Sequence, residues 1–158
     1  MEQFKKLNEK LICICNKLLE NQDLCKLIVY SQNKPLEEND LTQDERDSLL
    51  YTKIHPSIHI MKEVSEACTL LNVYFNKIKA NGQEFKSMKL IITISVHNTL
   101  KYIDGGTRAN EIHDTLLDIF DKQSGFGLGK MELEISEIYV PNENFSGYAM
   151  VFNCSEFR

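Results

Sequence analysis

The chain has 158 residues, about one domain's worth, and its 42% apolar and 26% charged residues are ordinary for a water-soluble globular fold and unlike a disordered or fibrous one. Its 23 acidic against 18 basic side chains leave a formal charge of -5, the wrong sign for gripping phosphate backbones by counterion release. A membrane span is excluded too, because the best apolar run, Leu90 to Val96, is broken by Thr93 and Ser95 and falls far short of the roughly 20 residues a spanning helix needs.

The opening MEQFKKLNEK carries charge where a secretory signal needs an apolar core, so a cytosolic chain is expected. The five cysteines, Cys13, Cys15, Cys25, Cys68 and Cys154, are odd in number and form no CxxC pair. Reduced, mostly buried thiols are the expectation.

Residues 2 to 20 read as an amphipathic helix, with Phe4, Leu7, Leu11, Cys15 and Leu18 recurring at steps of three and four. Asn21 can end it, and Asp23 can open a short apolar turn-and-helix through Leu24, Leu27 and Ile28. From Ser31 to Ile60 the character changes. Asn33, Pro35, Asn39 and Pro56 punctuate a stretch dense in acids, with a short helix expected near Gln43 to Tyr51. A connection this long is unusual inside one domain unless it has a job. It is predicted as an extended arm or loop, with an interaction element and a solvated acidic loop as the two readings.

The period then changes to two. Thr69 to Lys77 is rich in Leu, Val, Tyr and Phe, and Met88, Leu90, Ile92, Ile94 and Val96 alternate with their neighbours, predicting two strands. The Asn81-Gly82 pair between them favours a tight turn and antiparallel pairing. Asp104-Gly105-Gly106 breaks the chain. Thr107 can cap a helix whose buried face is Ile112, Leu116, Ile119 and Phe120, about 22 Å long before Ser124-Gly125. Met131, Leu133 and Ile135 begin another strand, and the opposite parity of Ile138 and Val140 predicts a bulge near Ser136-Glu137. Pro141 to Phe145 is a turn, and Tyr148, Met150, Phe152 and Cys154 form one face of the last strand. The order predicts a single α+β domain with a mostly antiparallel sheet of four or more strands. That sheet should pack against the N-terminal helix and the later helix, with residues 31–60 as a long inserted arm.

Constellations that could carry chemistry are weak. Gly125-Phe126-Gly127-Leu128-Gly129-Lys130 has close glycines, but it follows a helix, leads into a strand and lacks the hydroxyl of a phosphate loop, so it reads as a connector. His55 and His59 have helical metal-ligand spacing, yet Pro56 breaks the helix and Glu63 and Glu66 complete no ligand pattern. His97 or His113 beside Cys68 would make a nucleophile pair, but nothing in the sequence brings them together. Glu132, Glu134 and Glu137 could hold magnesium in a nuclease, and equally form the solvent face of a strand. The aromatics Tyr139, Phe145, Tyr148, Phe152 and Phe157 lack the interleaved Lys and Arg of a base-stacking platform and suit core or subunit contact.

The arrangement as a whole resembles the tail-terminator and head-to-tail joining (neck) proteins of long-tailed bacteriophages. It combines the N-terminal helix, the long arm, the strands Leu71-Asn72-Val73-Tyr74-Phe75 and Lys89 to Val96, the helix Thr107 to Phe120, and the closing hairpin ending Phe145-Ser146-Gly147-Tyr148-Ala149-Met150-Val151-Phe152-Asn153. The resemblance implies a structural, non-enzymatic virion protein of the tail or neck, assembled in the host cytoplasm without a cofactor or metal. It would form a homo-oligomeric ring of six that caps the tail tube. Its partners would be the tail tube protein and a neck or head-completion protein, and DNA would pass through the channel without specific binding. Apolar residues in the predicted loops are the candidate interface: Leu36, Leu41, Leu49 and Leu50 in the arm, Phe126 and Leu128 in the glycine loop, Asn142 and Phe145 in the last turn. The alternatives are a small metal-dependent nuclease or hydrolase using Glu132 and Glu134, and a protein-binding adaptor that works through its sheet edge.

Overall fold

The computed structural model describes residues 3–61, 66–81 and 84–154. The first helix, α1 (Gln3–Glu20), buries Leu7, Ile14, Cys15, Leu18 and Leu19, whereas Phe4, predicted to share that stripe, is 63% exposed. Asn21 is the single residue before α2 (Gln22–Val29), and its side-chain oxygen accepts from Leu24 N–H at 2.9 Å. Asn21 therefore takes the cap predicted for Asp23, and Asp23 sits in the first turn, where its charge suits the helix dipole.

The segment expected to be an arm is folded onto the body. A short 3-10 turn at Pro35–Glu37 and a one-turn helix, α3 (Gln43–Asp47), interrupt it, the latter closed by a reciprocal capping box between Thr42 and Glu45. Leu41, Leu49 and Ile54 are buried in the main core. Side chains of α2 and of Tyr30 just after it pin the backbone. Gln22 both donates to and accepts from Leu41, at 3.1 and 2.8 Å. The buried Lys26 ammonium pairs with Asp40 at 2.7 Å, and Tyr30 OH donates to the Asn39 carbonyl at 2.7 Å. In return Arg46 donates to the Leu19 carbonyl at the end of α1, at 3.1 Å. The segment ends in β1 (Ile54–His55), which joins the sheet.

Strands β2 (Thr69–Asn81) and β3 (Glu84–His97) pair antiparallel, as the two periodic runs predict. The tight turn expected from the Asn81-Gly82 pair falls on Gly82 and Gln83, which lie outside the described residues. A two-stranded ribbon, β4 (Tyr102–Ile103) with β5 (Gly106–Thr107), leads into α4 (Arg108–Phe120). Thr107 caps α4 by accepting from Asn110 N–H at 3.2 Å. The last hairpin is β6 (Met131–Asn142) and β7 (Phe145–Cys154). The main sheet has the order β1-β2-β3-β7-β6, antiparallel throughout except for the two-residue parallel pair of β1 with β2. One face carries Leu71, Val73, Leu90, Ile92, Ile94, Val96, Met150 and Phe152, all fully buried, and with the helices it makes the core. In the middle of β7, Gly147 lies so close to the Ile94 carbonyl that any Cβ would run into it, which accounts for a glycine inside a strand.

A β6 bulge sits at Glu134, not at Ser136-Glu137, and a second irregularity lies between Tyr139 and Asn142. Leu133 opposes Phe152 and Ile135 opposes Val151, leaving Glu134 as the extra residue. This returns Ser136 and Ile138 to the helix-side register, opposite Met150 and Tyr148, and turns Ile135 onto the other face. Among the described residues no helix is long and apolar enough to cross a membrane.

Candidate assembly surfaces

Most of the apolar loop residues predicted for an interface are core residues of the protomer itself. Leu41, Leu49, Phe126, Leu128 and Phe145 are all 6% exposed or less. Leu41 and Leu49 are buried because the segment is stapled down, and Phe126 because its ring packs on Phe120, centroids 5.3 Å apart. Leu50 and Asn142 are half-buried, and Leu36 is 41% exposed. Of the predicted apolar contacts, only Leu36 presents a largely open side chain.

The exposed apolar surface lies instead on edge strand β6. Ile138 is 80%, Val140 61% and Ile135 45% exposed. This strand has β7 on one side; on the other, Met131 bonds Lys122 and Gln123 and Leu133 N–H donates to Asp121 Oδ1, so it is beyond Leu133, where no described strand lies alongside, that backbone N–H and C=O groups are open. At the opposite edge β1 covers β2 only at Leu71 and Asn72, and Val73 to Asn81 have no described strand beyond them. Ile58 and Ile60, which follow β1, are 62% and 85% exposed. The parity change at Ile138 and Val140 was visible in the sequence. That their strand is an edge depends on strand order, which no local pattern encodes.

The sheet face away from the main core carries a buried polar row. His55 pairs with Asn72 and Asn72 with Thr93 across three strands, and all three are at most 9% exposed. His55 Nε2, Asn72 Oδ1 and Thr93 Oγ1 have no hydrogen-bond partner, a cost of about 1–3 kcal/mol for each such group. Asn72 also reaches the His59 carbonyl at 3.4 Å, folding residues 56–61 back toward this face.

The chemical constellations resolve differently. His55 and His59 do come together, but as stacked rings with centroids 4.1 Å apart and planes 4° from parallel. Their nitrogen lone pairs then run side by side and do not converge on one ion. Glu63 lies outside the described residues. Glu132 pairs with Lys130 at 3.5 Å and Glu134 with Lys89 on β3, so these carboxylates face lysines. Among the described residues no group of three or more His, Cys, Asp and Glu could hold a metal. The glycine loop is a connector with Gly125, Gly127 and Gly129 at positive φ. Its Gly127 carbonyl accepts from Lys10 at 2.8 Å.

His97 is brought beside Cys68, its N–H donating to the Cys68 carbonyl at 3.1 Å, a neighbourhood the sequence did not disclose. Its ring is used elsewhere. Nδ1 accepts from Thr99 N–H at 3.2 Å, and the ring meets Phe145 edge-on. Burial pushes the Cys68 thiol above its ordinary range, away from the nucleophilic thiolate. The more deeply buried Cys15 is pushed up to about 12, and Cys25 and Cys154 to about 11. His113 hydrogen-bonds Ser136 Oγ at 2.7 Å and packs against Tyr148, tying α4 to the last hairpin.

These features define a two-layer α+β protein whose mixed sheet is covered by helices on one face and, among the described residues, has open stretches at both edges. The YomW family model matches residues 21–154, and the chain belongs to this family. YomW is a Bacillus phage-region family, and the protein is accordingly phage-associated. No curated protein and no solved structure matches the chain significantly.

Proposed function

We propose that this phage-associated chain is a structural virion subunit that closes into a ring at the end of the tail tube, in the manner of tail terminators and neck proteins. The observation that supports it best is the β6 edge. Ile138 and Val140 on one stretch and Ile135 on the other face lie exposed on the part of β6 beyond Leu133, which has no described strand on its outer side. Native proteins protect long edges unless a partner covers them, and exposed apolar patches mark protein contacts. The role is architectural, with surfaces as its working parts and no reaction assigned to it. The tail tube protein and a neck protein are its partners in this reading. DNA traverses the channel without specific binding, which the net charge of -5 favours.

Light scattering and negative-stain imaging of the purified full chain, alone and with tail tube protein, test this. Closed rings of uniform size are expected. A strict monomer at high concentration, unchanged by tube protein, contradicts it.

A further inference from the structure

Residues 56–61 lie against the sheet as a strap held by few contacts. Ser57, Ile58, His59 and Ile60 are all exposed, Ile60 to 85%, and among the described residues no backbone–backbone hydrogen bond reaches the segment. Two side-chain contacts fix it. The His59 ring stacks on the buried His55 ring, with centroids 4.1 Å apart, and the His59 carbonyl accepts from Asn72 Nδ2 at a long 3.4 Å. Each anchor carries a buried atom without a hydrogen-bond partner, His55 Nε2 and Asn72 Oδ1. The closed strap therefore gains little from polar contact, and its main hold is the ring pair.

That pair is poorly placed to carry charge. His55 hydrogen-bonds the Thr52 backbone, which leaves Nε2 as the partnerless ring nitrogen. Among the described residues the charged or titratable groups acting on the ring are His59 on the strap and Lys53 on its own segment, and both oppose a positive charge there. From β2 the residue paired with His55 is the neutral Asn72. Burial is the largest cause, His59 the next, of a His55 pKa held below the ordinary imidazole range, and the Thr52 bond works against them. Were both rings charged, two imidazolium faces would meet at stacking distance and repel.

We propose that the His55–His59 stack is an acid-operated latch, holding residues 56–61 against the sheet at neutral pH and releasing them when the pair is protonated. Release separates the two charges and lets water reach His55 Nε2 and Asn72 Oδ1. The open form binds more protons than the closed one, so opening is favoured as pH falls through the closed-state value. The latch lies within one protomer and is independent of the ring reading above.

Thermolysin cleavage of the full chain before Ile58 and Ile60, followed by mass spectrometry and divided by the rate on a peptide of residues 53–61 at the same pH, tests it. Between about pH 7.5 and about pH 5.5 this ratio should rise about tenfold for each unit by which closure lowers the pair's pKa. Cleavage before the buried Ile92 in β3 reports global unfolding and should not follow that rise. In H55F/H59F, checked for native circular dichroism, the rings can still stack but cannot titrate, and the ratio should stay flat. His59 is exposed, so H59F carries the test if the double variant does not fold. Its rise should be smaller, because a charged His55 is attracted to a phenyl face. A flat ratio in the unaltered chain, or an equal rise in either variant, would overturn the latch.

Discussion

Arg108 shows how much of the architecture rests on single side chains. It opens α4 fully buried, donating from Nη1 to the Leu27 carbonyl at 2.7 Å, from Nε to Leu100 at 2.9 Å and from Nη2 to Gln32 at 3.2 Å. One planar guanidinium thus ties the end of α2, the chain after it and the turn before β4 to α4, a geometry an ammonium cannot copy. Burial lowers its pKa below the ordinary guanidinium range, yet the group stays charged at neutral pH. Arg108→Ala should cost about 3 kcal/mol in urea unfolding, with Arg108→Lys recovering less than half. A loss under about 0.5 kcal/mol would refute the clasp. Histidines set a second residue-scale expectation. Burial, reinforced by the neighbouring His59, lowers the pKa of His55, and burial lowers that of His113 against a smaller opposing effect of Asp114. A folded-state pKa below the unfolded 6.5 means that the unfolded chain binds more protons. The stability these groups contribute is then complete above pH 6.5 and is lost as pH falls through their folded values. Melting temperature should drop on acidification through that window, and less so in a His55→Phe, His113→Phe double variant. An equal drop in that variant would contradict the assignment.

At the scale of elements, the segment from 31 to 60 is a stapled part of the core. Leu49→Ala should therefore destabilise the protein by about 2–4 kcal/mol, whereas Leu36→Ala should stay within about 0.5 kcal/mol, both read from denaturant midpoints. Equal, small effects would restore the free arm. The period-2 run from Met88 to Val96 could be read from the sequence because alternate residues face a buried and a less buried side over a long strand. The helices could be read too, from their apolar spacing and from the Thr107 cap. The 31–60 segment could not. Its buried residues follow no period, and its anchors are side chains distant in sequence, Gln22 on Leu41 and Arg46 on Leu19. The bulge was misplaced by two residues because Ile135 is apolar and suits either face, so only pairing reveals that Glu134 is the extra residue. Five of the interface candidates, Leu41, Leu49, Phe126, Leu128 and Phe145, turn inward for a related reason: an apolar residue in a predicted loop looks the same whether it faces a partner or folds inward.

For the whole molecule, strand order turns the chain's charge into a pattern. The net -5 averages over three acids on β6 and two lysines on β2, which lie on opposite sides of one sheet. At His55, Asn72 and Thr93 the sheet also buries polar atoms with no hydrogen-bond partner among the described residues. The central claim is that the protein closes into a ring, and native mass spectrometry of the full chain tests it most directly. The account predicts one dominant species at a fixed multiple of the 18.3 kDa chain, unchanged on dilution through the micromolar range. A spectrum holding only the 18.3 kDa monomer, or an open ladder of masses that grows with concentration, would contradict it.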